Sequence, residues 1–124
     1  MPKTVATDQA PAAIGPYSQA IISGNFVYVS GQLPLDPKTG QMPAKAADQA
    51  KQSLENVKAI LEAAGSSLAK AVRVGIFMTD LAYFAAVNEV YATFFKDSFP
   101  ARSTVQVAAL PRGAQIEIEA VAEI

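Results

Sequence analysis

The stretch Ile21 to Val29 sets two short apolar, β-prone runs on either side of Ser23-Gly24-Asn25, a pattern that predicts a β-hairpin. Ser30-Gly31 is expected to end its second strand. Leu33 to Pro43 carries three prolines together with Asp36, Lys38, Thr39 and Gly40, which resist both helix and strand interior and predict a surface loop. Between Lys45 and Ala64, the apolar positions Ala47, Ala50, Leu54, Val57, Leu61 and Ala64 recur at steps of three or four, and Lys51, Glu55, Lys58 and Glu62 fall largely elsewhere. This is the pattern of an amphipathic helix of roughly five turns, stopped at Gly65.

Ala71 to Thr79 is mostly apolar and β-branched and predicts a strand. Asp80 can cap a second helix whose apolar stripe is Phe84, Val87, Tyr91 and Phe94 or Phe95, ending before Ser98-Phe99-Pro100. Two alternating segments follow, Arg102 to Ala109 and Gln115 to Glu123, and the short connection Leu110 to Ala114 predicts a terminal hairpin. Alternation puts Ser103, Val105 and Val107 on one face, with Arg102, Thr104 and Gln106 on the other. In the last strand it sets Ile116, Ile118 and Ala120 against Glu117 and Glu119. The expected architecture is an α+β two-layer domain spanning residues 1–124: a mixed sheet of about six strands with two helices on one face. The bare face then needs water or another chain, so self-association is expected.

Composition narrows the chemistry more than the fold. A chain of 124 residues with 51% hydrophobic residues can bury a core but has no room for a second domain. No stretch approaches the ~20 apolar residues of a membrane span, and no apolar signal segment follows Met1-Pro2-Lys3-Thr4, so a cytoplasmic protein is expected. Ten Lys+Arg against eleven Asp+Glu give a net charge of -1, which offers no broad positive field to nucleic acid or anionic lipid. The chain has no Cys and no His. Thiolate nucleophiles, disulfides, Cys/His zinc sites and imidazole bases are therefore excluded, leaving Arg, Lys, Glu, Asp, Tyr, Ser, Thr, backbone groups and water.

Among these, Arg102 follows Pro100-Ala101 at the start of a strand, where a guanidinium fork suits a carboxylate. The plain alternative is a surface arginine in a weak ion pair. Glu117, on the polar face of the expected facing strand, could address the same small cleft; alternatively it is one solvated strand glutamate among several. Tyr17, Ser30 and Gly31 stand at element ends, where sites tend to be built, and Asn88 lies on the second helix. No phosphate-cradling glycine loop, dinucleotide fingerprint or zinc spacing is present.

Several separated motifs together carry a resemblance. Pro100-Ala101-Arg102-Ser103-x-Val105, then Ala108-x-Leu110, then Ile116-Glu117-Ile118-Glu119-Ala120, resembles the C-terminal signature of the Rid (YjgF/YER057c/UK114) family, in its RidA-like enamine/imine deaminase branch. Ala12 to Gln19, Val29-Ser30-Gly31-Gln32 and Gln52-Ser53-Leu54-x-Asn56-Val57 support it across essentially the whole chain. The resemblance implies a chorismate-mutase-like fold, a homotrimer with clefts between subunits, and no cofactor. It implies hydrolysis of 2-aminoacrylate-type enamines and 2-iminobutanoate or 2-iminopropanoate to 2-oxo acids and ammonia. Carried over by position, Arg102 grips the substrate carboxylate and Glu117 holds or activates the attacking water. Tyr17, Ser30, Gly31 and Asn88 line the cleft, as does Thr104, which stands where many members of the branch have Cys. Two other readings remain: an endoribonuclease or translation inhibitor, disfavoured by the near-neutral charge and absent His, and a non-catalytic small-carboxylate-binding or chaperone-like protein.

Overall fold

The computed structural model describes residues 2–124. The strands β1 (Lys3–Val5), β2 (Ala20–Ser23) and β3 (Phe26–Gln32) come first and are followed by α1 (Ala46–Ala63), β4 (Ala71–Met78), α2 (Phe84–Ala92), β5 (Ala101–Gln106) and β6 (Ile116–Glu123). The six strands form one mixed sheet in the order β1-β2-β3-β6-β4-β5. The two-layer α+β expectation is met, with a short β1 added that the pattern of residues 3–5 did not announce.

The β2–β3 hairpin closes through Gly24-Asn25, and Gly24 takes a φ of 61°, a left-handed conformation cheap only for glycine. α1 matches its expected span to within a residue at each end. Its Ala50, Leu54, Val57, Ile60 and Leu61 lie fully buried against Val27, Val29, Val74, Ile76, Met78, Ile116 and Ile118 of the sheet. Each large side chain so buried contributes roughly 1.5–3 kcal/mol, which makes this layer the main source of stability. The second helix is shorter than its stripe suggested. Asp80 does act as a cap, its carboxylate accepting from the Ala82 N–H at 2.8 Å, but it caps a single 3-10 turn over Leu81–Tyr83 that precedes α2. Val87 and Tyr91 are buried, Phe94 and Phe95 lie past the helix end, and Phe84 remains 41% exposed.

The terminal hairpin does not form. β5 pairs in parallel with β4 at the edge of the sheet, and β6 inserts between β3 and β4, antiparallel to both. Parallel neighbours need a crossover, which α2 supplies, so the local sequence between β5 and β6 does not decide their partners. The faces of β5 are corrected as well. Arg102 and Thr104 stand in register with buried Val74 and Ile76, on the helix side, whereas Ser103 and Val105 align with Gly75 and Phe77 on the outer side with Glu117 and Glu119. Ser30-Gly31 likewise does not end β3 but lies inside it, at a bulge where three steps from Val29 to Gln32 oppose two from Ala120 to Ile118. No helix among the described residues is long and apolar enough to cross a membrane.

Candidate active site

The predicted residues separate into two groups on opposite faces of the sheet. Tyr17, Ser30, Gly31 and Glu117 share a cavity of about 630 Å³, walled by Pro11, Ala12, Ile14, Leu33, Leu35 and Pro111, with Arg112 at its edge. Asn88 and Arg102 share a shallower depression of about 330 Å³ with Tyr91, Ala92, Phe99 and Pro100. Thr104 is two residues from Arg102 on the same side of β5, and its hydroxyl is buried without a hydrogen-bond partner among the described residues. Within one chain, Arg102 and Glu117 therefore do not face a common cleft, as pairing in a terminal hairpin would have allowed. The cause is the facing of β5, which turns Arg102 toward α2.

In the first group, position is fixed by buried amides that the sequence pattern did not single out. Gln19, only 4% exposed, accepts from the Thr7 N–H at 2.7 Å and donates to the Pro11 carbonyl at 2.7 Å, which ties the N-terminal segment to the cavity rim. Asn56 on α1 donates to the Leu33 and Leu35 carbonyls at 3.1 and 3.0 Å and so holds the opposite wall. An unmet hydrogen bond of this kind costs about 1–3 kcal/mol once buried, so these amides define the loops rather than decorate them. Gln19 stands in the segment just before β2, and Asn56 on the buried side of α1 among Leu54, Val57 and Ile60. The Ser30 hydroxyl donates to the Ser18 carbonyl at 2.6 Å, and the Ser30 N–H to the Gln19 carbonyl at 2.9 Å, which anchors the segment bearing Tyr17.

Glu117 rests directly on Gly31. A Cβ at position 31 would stand 2.9 Å from the Glu117 carboxyl carbon, so only glycine leaves the carboxyl where it is. Glu119 repeats the arrangement over Gly75 in the neighbouring strand, where a Cβ would lie 3.0 Å from its Cγ. Burial raises the Glu117 pKa above the ordinary carboxylate value, and the negative charge of Glu119 raises it further. The carboxyl thus holds its proton more firmly than a solvated glutamate and can both take and return one near a bound molecule.

The second group is built on aromatic rings. The Arg102 Cζ lies 4.7 Å from the Tyr91 ring centroid and 5.7 Å from that of Phe84. Tyr91 packs in turn against Phe95 and Phe99, with centroids 4.8 and 6.3 Å away. The sequence pattern assigned Phe84 and Tyr91 to a core stripe. The missed signal is that Phe84, Asn88 and Tyr91 fall at i, i+4 and i+7, one helix face pointing at the start of β5. Chemically, the first group offers a proton-exchanging carboxyl in a partly apolar cavity, and the second a guanidinium for an anion.

Residues 7–124 match the family profile described as Endoribonuclease L-PSP. The chain is 54% identical over 125 residues to the 2-iminobutanoate/2-iminopropanoate deaminase of Escherichia coli K12, covering 98% of both proteins. Its fold superimposes on RidA from the Antarctic bacterium Psychrobacter sp. with a TM-score of 0.95 and 50% identity, covering 98% of this chain and 99% of that one. Escherichia coli TdcF, solved with bound serine, aligns with the same TM-score at 49% identity, covering 98% of each chain. Agreement of this extent in sequence and in backbone makes the chain a member of the Rid (YjgF/YER057c/UK114) family, in its RidA-like branch.

Proposed function

We propose that this protein is an enamine/imine deaminase of the 2-iminobutanoate/2-iminopropanoate type, releasing 2-oxo acids and ammonia from reactive 2-aminoacrylate-type compounds. The observation that carries this reading is Glu117, a carboxyl of raised proton affinity seated on Gly31 at the wall of a cavity that also holds Tyr17 and Ser30. The enamine gains a proton at its terminal carbon and becomes the iminium ion, the protonated imine. Water adds to the iminium carbon as one of its protons passes to Glu117; Glu117 returns that proton to nitrogen, and the carbinolamine expels ammonia as its hydroxyl proton passes back to the Glu117 carboxylate, leaving the carbonyl of the 2-oxo acid. Proton movement of this kind is worth on the order of 10²–10⁴ in rate. No step requires a thiol, so Thr104 in place of the branch's common Cys leaves the reaction open.

The substrate carboxylate is assigned to Arg102, with Asn88 and Thr104 beside it. In one chain Arg102 and Glu117 stand on opposite sides of the sheet, so this reading places the complete site in a cleft between two copies of a homotrimer. Half-exposed Phe26, Tyr28 and Val105 on the uncovered side of the sheet favour such an association, because large apolar groups together on one face gain by being covered. The reading includes a cytoplasmic setting, in which dehydratases release enamines. Its test is a coupled assay. A serine or threonine dehydratase generates the enamine, and the protein is expected to speed release of pyruvate or 2-oxobutanoate above the rate in buffer. Unchanged release with the folded protein present overturns the reading.

A further inference from the structure

A cation on an edge strand has three ways to be held. A carboxylate partner neutralises it and competes with any incoming anion. Solvent leaves it mobile, so that binding must freeze up to about 2 kcal/mol of rotamer entropy. An aromatic face attracts the cation through the ring quadrupole and leaves the N–H edge unoccupied. Arg102 is held in the third way: its Cζ lies 4.7 Å from the Tyr91 centroid and 5.7 Å from that of Phe84, and no side-chain acceptor engages it among the described residues.

Tyr91 differs from an ordinary core aromatic in two respects. It is only 4% exposed, yet its hydroxyl has no hydrogen-bond partner among the described residues. Burial also pushes the phenol pKa up from its ordinary value, and the nearby Arg102 charge opposes this only in part. The phenol thus stays neutral and cannot serve as a counter-ion, which leaves the ring as the part that acts on Arg102. The ring is itself immobilised. Phe95 packs against it at 4.8 Å and Phe99 at 6.3 Å, and the latter two lie 6.0 Å apart, so the shelf under the guanidinium is continuous with the α2 end of the core.

We propose that Tyr91 is the positioning residue for Arg102: its ring, with Phe84 beside it, keeps the guanidinium oriented with no carboxylate of its own chain attached, so that the five N–H donors meet the substrate carboxylate already arranged. The proposal rests on the reading of Arg102 as the carboxylate-binding group. It predicts an effect on ground-state binding more than on the chemical step, because the ring touches neither the imine carbon nor the attacking water.

The test compares Tyr91→Leu, Tyr91→Phe and Phe84→Leu with the unaltered protein. Two quantities are read: KM and kcat for imine hydrolysis, and the Kd of 2-oxobutanoate by titration calorimetry. Loss of the Tyr91 ring is expected to raise both KM and Kd by roughly 3- to 30-fold, the range a partly buried cation–π contact supplies, while kcat changes little. Tyr91→Phe keeps the ring and should behave like the unaltered protein. Phe84→Leu alters a half-exposed side chain, folds readily, and should raise KM and Kd by a smaller factor. Unchanged Kd in folded Tyr91→Leu overturns the proposal, as does a Tyr91→Phe variant as impaired as Tyr91→Leu. Should Tyr91→Leu not fold, unchanged Kd in Phe84→Leu overturns it instead. If the unaltered protein binds 2-oxobutanoate but hydrolyses no imine, the deaminase reading fails while the binding comparison still decides the role of Tyr91.

Discussion

The two halves of the candidate site are built by different means. The Glu117 half is a roomy cavity whose walls are loops, held in place by the buried amides Gln19 and Asn56, with its carboxyl fitted against a glycine. The Arg102 half is a shallow surface where a strand start meets a helix, and its cation is held by rings rather than hydrogen bonds. The contrast follows from the tasks assigned to them. A carboxyl that exchanges a proton with water gains from desolvation and an exact seat, while a cation that receives an anion gains from having no partner until the anion arrives. The first half should therefore govern kcat and the second KM.

Disabling the carboxyl gives the largest expected effect. Glu117→Gln should lower kcat by roughly 10²–10⁴ with KM little changed, whereas Arg102→Ala should act on kcat/KM by roughly 10²-fold, with a large part in KM. Steady-state kinetics of both variants on the same imine measure the split, and a matching pattern in the two would erase the distinction drawn between the halves. Gly31→Ala comes next. The added methyl meets the Glu117 carboxyl group at 2.9 Å and moves a side-chain end rather than backbone, so folding should survive while kcat falls about 10- to 100-fold from the displaced carboxyl.

The smallest effect is on stability. Because the Glu117 pKa is raised in the folded state, its contribution is fully present below the unfolded value near 4.5 and is lost as pH rises through the folded value. Glu117→Gln should therefore gain slightly in stability over the unaltered protein at neutral pH and lose that advantage near pH 4. Denaturant midpoints at the two pH values measure it, and an advantage that grows on acidification would contradict the assigned shift.

Local pattern made α1 and the first hairpin legible, because both are decided by neighbours in sequence: apolar spacing in one, a glycine able to take positive φ in the other. The site residues were legible one by one for a similar reason, since their motifs are local. Their grouping was not. Alternation along β5 states which residues share a face but not which face meets the helices. With Ser103, Val105 and Val107 on one side and Arg102, Thr104 and Gln106 on the other, polarity pointed the wrong way. An edge strand tolerates this, because a long cation at its end can lie along the rim of the helix layer with its stem packed and its head free. Pairing of β5 with β4, and of β6 with β3 and β4, depends on a crossover of chain and is settled only by the whole sheet.

In the proposed site Arg102 and Glu117 act together although one chain holds them apart. The direct measurement uses two separately tagged impaired variants, Arg102→Ala and Glu117→Gln, co-expressed, purified as mixed oligomers through both tags and assayed at substrate concentrations well below KM. In a homotrimer that contains both variants, one of the three clefts, about a third, combines an intact Arg102 from one chain with an intact Glu117 from the other. Imine hydrolysis is expected to return toward that fraction of the unaltered activity. Mixed oligomers no more active than their parents would contradict a cleft shared between two chains.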